Sequence, residues 1–392
     1  MSIPRIDALI MAQEGLSEVT RESIEDLQLE KLNRLLTREK ARCGFYRELP
    51  ERLDSLDGLR KLPFTTEEEL ARNAAGLLLC SQSEITRVLS DATSGTTGAA
   101  KRVFYTEGDC ERTVQLFMAG LGELIFPGSV TLIGFPFSGP FGLGELIAEA
   151  VTRLGAHPLK ADASLCYGEL AALLAREKPD TFVGMPVQLL SLLRVCGRGS
   201  LRRALVSGDA CPEAVIAGCE DILGSKLFPH YGSREMALGG AISCPAHAGM
   251  HLRENHVIAE IVDESGAVLP PGEWGELVLT TIGMEAMPLI RYRTGDCTRV
   301  IPGRCKCGSE VLRLDTVRRM DGGGELAALD ETLFSLPFVA DYRAERRDGR
   351  LHLSVLTCGE GELPKLDADV EARPVKPEDG PLYLGKRKLV TL

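Results

Sequence analysis

"DATSGTTGAAKRV", Asp91 to Val103, packs four hydroxyl residues and two glycines between Thr93 and Gly98, then runs through two alanines to Lys101 and Arg102. Glycines let backbone N–H groups come close to a ligand and hydroxyls add donors, so a loop of this composition suits an anion. It is not a Walker loop, because no lysine follows a glycine and the G-x-x-x-x-G-K spacing fails. Taken alone it would pass for an ordinary polar turn. Its surroundings decide what fold carries it.

Downstream, "SVTLIGFPF", "DTFVGMP" and "RRALVSG" are short apolar runs that read as buried strands, alternating with helical stretches such as "GELAALLAREK" and "PVQLLSLLRVC". That alternation predicts an α/β arrangement with a largely parallel sheet. Upstream, "SIEDLQLEKLNRLLTREKARCGFYRELP" has leucines at helical spacing and predicts an amphipathic helix ending near Gly44. From about Met250, "VIAEIVDESGAVLPPGEWGELVLTT" predicts an antiparallel meander broken at Ser-Gly and Pro-Pro-Gly turns. The glycine run Gly322 to Gly324 reads as a joint, followed by a helix ("LDETLFSLPF") and a strand ("RLHLSVLTC"). The expected architecture is a large multilayer α/β domain, 1–320, with an appended β meander, and a small, shortened α+β domain, 321–392.

The 392 residues carry 45 lysines and arginines against 56 acids, net −11, so no broad basic field exists to gather nucleic-acid phosphates. The N-terminal "MSIPRIDALIMAQEGLSE" mixes acids into its apolar residues, and no apolar run approaches a membrane span. The expectation is a cytoplasmic protein that binds neither nucleic acid nor membrane. Most of the twelve cysteines are scattered singly through apolar segments, as with Cys80, Cys166, Cys196 and Cys219, and behave as small hydrophobes.

Three further stretches follow the loop in order: "HYGSREM" (230–236), "MPLIRYRTGD" (287–296) and "GKRKL" (385–389). With these and with "LRKLPFTTEEEL", "GMHLRENH" and "EAMPLIRYRTGD", the chain resembles the adenylate-forming (AMP-binding) superfamily and, within it, the phenylacetate–CoA ligase family. The likeness covers nearly the whole chain and thins after Asp321. It implies an adenylate-forming N-terminal domain and a shortened C-terminal lid. It also implies an ATP-dependent ligase, in which a small aromatic carboxylic acid attacks the α-phosphorus of ATP, pyrophosphate leaves, and the acyl group passes to coenzyme A.

Charge that accumulates on phosphoryl oxygens must be met by donors and metal. By resemblance, Thr93, Ser94, Gly95, Thr96, Thr97 and Gly98 hold the departing phosphates, with Lys101 at their rim. Ser207, Gly208 and Asp209 in "VSGDACP" lie along adenine, as does the ring of Tyr231, followed by Gly232. Glu235 holds Mg²⁺, and Asp296 accepts both ribose hydroxyls, one per carboxylate oxygen. Arg319 in "RRMDG" stands where the family has its hinge arginine. Lys386, with Lys388 as the alternative, stands for the mobile lysine that reaches the α-phosphate. Arg234 departs from the family, which usually has Ser or Thr there; its guanidinium fork suits a phosphate or a substrate carboxylate. Phe137 and Phe141 in "IGFPFSGPFGLGE" are candidate walls of an apolar acid pocket.

"ISCPAHAGMHLRENH" offers Cys244, His247, His251 and His256, and "PGRCKCGSE" adds Cys305 and Cys307. Thiolates and imidazoles in fours are what tetrahedral Zn²⁺ takes, and members of the resembled family often carry a comparable set. The expected structural site is Cys244, His251, Cys305 and Cys307. A homodimer is compatible with all of this. The thin C-terminal region and Arg234 leave two other readings open: adenylation with a different acceptor (a deazaflavin hydroxyl, an amine or a carrier protein), and a degenerate relative that senses a nucleotide or acyl-adenylate.

Overall fold

The computed structural model describes residues 3–91, 101–162, 164–320 and 323–391. The candidate phosphate loop, Thr93 to Gly98, therefore lies outside the described residues. Contacts divide the chain into two compact units, one of residues 1–120 and 231–318, the other of 121–230 and 319–392. One of the three breaks, 318/319, lies near the expected boundary, while those at 120/121 and 230/231 run through the expected 1–320 domain and group 121–230 with the C-terminal segment.

In that second unit the strands His157–Lys160, Val130–Ile133, Thr181–Gly184, Arg203–Val206 and Phe228–Tyr231 lie side by side in this order, all parallel. Thr181–Gly184 is buried at every position, which is why its sequence is continuously apolar and does not alternate. Helices Tyr167–Glu177, Pro186–Cys196 and Glu213–Leu223 connect the strands, the second beginning on a proline whose missing N–H is harmless there.

The C-terminal segment forms the helix Gly323–Phe334 and a four-stranded sheet of Val339–Arg347, Arg350–Thr357, Asp369–Pro374 and Val390–Thr391. Its Leu329, Leu333, Phe334, Tyr342 and Leu353 share one hydrophobic cluster with Leu189, Leu190, Val215 and Cys219. Each such side chain, fully buried, contributes about 1.5–3 kcal/mol. Glu331 reaches across to accept the N–H groups of Glu213 and Ala214, 2.8 and 2.9 Å away, at the start of Glu213–Leu223. Arg194 donates to the carbonyls of Val339 and Phe334. The segment is thus part of this unit's core.

In the first unit, the helix Arg21–Ala41 starts at a Thr20–Ser23 capping box and ends close to where its leucine spacing predicts. The hairpin Ile85–Asp91 and Lys101–Thr106 flanks the undescribed loop, with Asp91 opposite Lys101. The predicted meander is present: Ile258–Val262, Gly275–Thr280 and Tyr292–Thr298 pair antiparallel in that order. A second antiparallel set, Ala241–Ser243, Met250–Leu252, Arg313–Leu314 and Val300–Ile301, brings the two cysteine segments together. No helix among the described residues is long and apolar enough to cross a membrane.

Candidate functional site

The "HYGSREM" stretch leaves the strand Phe228–Tyr231 and tightens into a single 3-10 turn, Arg234–Met236. Met236 is fully buried, and a Cβ on Gly240 would stand 2.0 Å from its sulfur, so a side chain there would force Met236 to repack. Glu235, beside it, is 5% exposed. Its carboxylate meets the Lys101 ammonium at 2.5 Å, and Lys101 also donates to the Tyr292 hydroxyl at 3.0 Å and to Glu67 at 3.2 Å. Burial alone would raise the Glu235 pKa, but the charge and hydrogen bond of Lys101 outweigh it and the pKa falls below the usual range. Burial works against the Lys101 charge as well, yet Glu235 and Tyr292 raise its pKa. Both groups are ionised at neutral pH. The backbone carbonyl of Arg234 accepts from the buried Tyr105 hydroxyl at 2.7 Å, and its side chain is half-buried.

Asp296 sits on Tyr292–Thr298 inside a bulge, between Arg293 opposite Val278 and Cys297 opposite Glu276, where Gly295 takes a φ of 68°. A bulge re-aims the side chains it carries. Arg293 clamps the same stretch by donating to Glu276 at 2.8 Å, and Arg291, 3% exposed, makes a two-pronged contact with Glu260 at 3.0 and 3.1 Å. The Tyr231 hydroxyl donates to Asp296 Oδ2 at 2.7 Å. Tyr231 and Asp296, predicted separately as adenine and ribose contacts, are thus brought together.

In the other unit, Ser207 follows the strand Arg203–Val206 and shares a 2.7 Å hydrogen bond with His230 Nδ1. His230 is fully buried, and burial lowers its pKa to about 4, so it is neutral. Gly208 has a φ of 86°, and a Cβ there would stand 2.9 Å from the Phe135 ring, two reasons for glycine. Asp209 accepts the Arg387 N–H at 2.8 Å. Burial raises its pKa, opposed by the N–H groups of Arg387 and Ala210 and by the charges of Arg387 and Lys386. Phe137 is half-buried, packed against Gly144 and beneath the Lys160 ammonium, 5.2 Å from its ring centre. Phe141 is half-buried with a φ of 64°, and Arg319 lies on the short exposed strand Arg318–Arg319.

Cys244, His251, Cys305 and Cys307 converge, with one ligand atom from each lying within 4.8 Å of all the others. The Cys244 and Cys305 sulfurs are 3.7 Å apart, and Cys307 Sγ is 3.4 Å from His251 Nε2. Zn–S bonds of about 2.3 Å at the tetrahedral angle place two sulfurs about 3.8 Å apart, so the donor set fits Zn²⁺. His251 Nδ1 faces the Val311 carbonyl at 3.3 Å, which fixes the tautomer that leaves Nε2 for a metal. Burial lowers the His251 pKa to about 4 and pushes the Cys244 thiol up to about 12. Of the four histidines and cysteines offered by "ISCPAHAGMHLRENH", His247 and His256 stay outside the group.

Sequence reading did not single out Tyr292, Glu67 or Arg387. Tyr292 stands inside the quoted "RYRTGD" and could have been suspected. Arg387 read only as one more charge in a basic tail.

A buried glutamate balanced by a lysine, and a tyrosine hydrogen-bonded to an aspartate, are the groups that the structure brings together. Residues 92–286 match the AMP-binding enzyme family. Phenylacetate–coenzyme A ligase of Thermus thermophilus is 30% identical over 337 residues, 79% of this chain and 73% of that protein. The ligase of the same name from Aromatoleum evansii is 29% identical over 318 residues, 74% and 69% of the two chains. The solved structure of a 2-hydroxyisobutyryl-CoA ligase in its postadenylation state superimposes with a TM-score of 0.72 at 19% identity, covering 86% of this chain and 79% of that one. That likeness is one of fold. The chain belongs to the adenylate-forming, phenylacetate–coenzyme A ligase-like family.

Proposed function

We propose that this protein is an ATP-dependent acid–CoA ligase: a carboxylate displaces pyrophosphate from ATP, and the resulting acyl-adenylate gives its acyl group to coenzyme A with release of AMP. The observation that carries this reading is the Lys101–Glu235 pair beside Tyr231 and Asp296, in a chain 30% identical to a phenylacetate–coenzyme A ligase. The acid is a small aryl acid, with Phe137 and Phe141 as walls of its pocket.

Glu235 would hold Mg²⁺, which supplies charge neutralisation at the phosphates. Lys101 then exchanges its carboxylate partner for phosphate oxygens, aided by the hydroxyls of Thr93 to Thr97. Asp296 turns from Tyr231 to the ribose, and Ser207 to Asp209 line adenine. Lys386 stabilises charge at the α-phosphate as the carboxylate attacks, and Arg234 offers its fork to a phosphate or to the substrate carboxylate.

Pyrophosphate release measured over arylacetic, benzoic and short aliphatic acids tests the first half, and mass analysis of the product with coenzyme A present tests the second. Release with none of these acids by folded protein would overturn the adenylation reading. Release without thioester would overturn the acceptor.

The four-residue cysteine and histidine set would hold one structural Zn²⁺, closed to water because all four positions are protein ligands. Protein purified without a histidine tag should carry zinc near one per chain, and Cys305→Ser should lower it. Zinc-free protein under reducing, chelator-free conditions would refute the site.

A further inference from the structure

Residues 380–391 form a strap that returns along the edge of the C-terminal sheet, where Val390 and Thr391 pair with Glu345 and Arg346. Exposure alternates along it: Lys386 and Lys388 are exposed, Arg387 and Leu389 half-buried. The Arg387 side chain is only 5% exposed. It ion-pairs with Asp330 and lies over three rings, with Tyr342, Phe334 and Tyr383 centred 4.5, 5.0 and 5.3 Å from its guanidinium carbon. Its own N–H donates to Asp209 at 2.8 Å, while the neighbouring Leu382 N–H donates to Asp341 at 2.8 Å. The charges of Arg387 and Lys386 are among the influences that lower the Asp209 pKa against its burial.

We infer that Arg387 is the positioning residue for Lys386: by filling a buried cage of Asp330, Phe334, Tyr342 and Tyr383, it fixes the strap backbone from which Lys386 projects. This rests on the reading of Lys386 as the group that stabilises the α-phosphate. A lysine on a four-carbon stem loses much rotamer freedom when it is held, and an anchored backbone next to it leaves less to lose at the moment of reaction. Arginine suits the anchor because its planar fork both stacks on rings and pairs with a carboxylate, which an ammonium cannot do together. Lys386 is exposed whereas the Arg387 side chain is buried in its cage, so Arg387 acts through backbone placement and touches no reactant.

The test is a double-mutant cycle on Lys386→Ala and Arg387→Ala, read as pyrophosphate release at saturating ATP with an acid the parent activates, alongside AMP binding and melting temperature. Lys386→Ala should lower kcat about a hundredfold or more, as loss of a preorganised charge does. Arg387→Ala should lower kcat about tenfold to a hundredfold through misplacement, with AMP affinity and the KM for ATP nearly unchanged. The double variant should be no slower than Lys386→Ala alone, because a residue that works only through Lys386 has nothing left to place. Arg387→Lys should recover part of the rate.

Parental kcat in Arg387→Ala, or single effects that multiply in the double variant, would overturn the inference. If Lys386→Ala itself keeps the parental rate, the Lys386 reading fails first, and that variant alone shows it. Should Arg387→Ala not fold, Asp330→Asn completes the cycle, with a smaller loss of kcat that again vanishes in the Lys386→Ala background.

Discussion

Glu235 and Asp209 are both carboxylates that burial pushes toward the neutral form, one in each compact unit, and they are held in different ways. Glu235 is matched by a side chain: the Lys101 ammonium touches it and holds its pKa down. Asp209 is matched by the chain itself, through the N–H groups of Arg387 and Ala210, with its pKa raised by burial. A side-chain partner can let go and take another, whereas a backbone N–H can leave only if the strap is lifted as a whole. The first arrangement suits a place where a cation and phosphates must come and go. The second suits a place where a group must stay put.

The largest effect should come from breaking the exchangeable pair. Lys101→Met leaves Glu235 buried without a cation, and removing one partner of a buried pair costs about 3–5 kcal/mol. In the parent, Glu235 ionises below its ordinary value of 4.5, so its contribution is complete above that pH and is lost as pH falls through the lower folded value. Lys101 is raised above 10.5, so its contribution holds below that pH and is lost as pH rises through the higher folded value. Denaturant unfolding should therefore show a flat parental contribution from this pair between these limits. The deficit of Lys101→Met should shrink on acidification and be largely restored by adding Glu235→Gln. A deficit that does not shrink at low pH would mean that the pairing is not its source.

Next in size is Asp296→Ala, which tests whether the acid beside Tyr231 is a second exchangeable group. Hydrogen bonds to a charged group are worth about 1.5–3 kcal/mol each, so AMP and ATP should both bind roughly tenfold to a hundredfold more weakly. Titration calorimetry with each nucleotide reads this directly. Unchanged AMP affinity would leave Asp296 as a structural partner of Tyr231 and nothing more.

How much of this was legible in the sequence follows from how each part is held. The parallel strands and the meander announce themselves because burial on both faces makes Thr181–Gly184 continuously apolar, and turn residues separate Ile258–Val262 from Gly275–Thr280. The four zinc-type donors could be named because cysteine and histidine are scarce and their chemistry is narrow. What stayed hidden depends on long-range packing. The helix Gly323–Phe334 looks like any amphipathic segment, and nothing local says that Leu333 and Phe334 will share a core with Leu189 and Leu190. Arg387 stands between two lysines in "GKRKL", and a run of three bases carries no mark of which one turns inward. Only Asp330 and the three rings, remote in sequence, decide it.

The smallest expected effect separates the two lysines that flank that arginine. Lys388 is exposed like Lys386, and its carbonyl accepts the Tyr383 hydroxyl at 3.1 Å. The backbone contact survives replacement of the side chain, so Lys388→Ala should leave the strap anchored and change pyrophosphate release by no more than about twofold, as exposed charges generally do. A mild Lys388→Ala beside a severe Lys386→Ala would show that the fixed strap selects one lysine of the two. Equal losses in both would mean that either ammonium can serve, which a strap held at Asp209 and by the Arg387 cage does not permit. The contrast between an exchangeable carboxylate and a fixed one would then fail on its fixed side, while the Lys101–Glu235 result would stand unaffected.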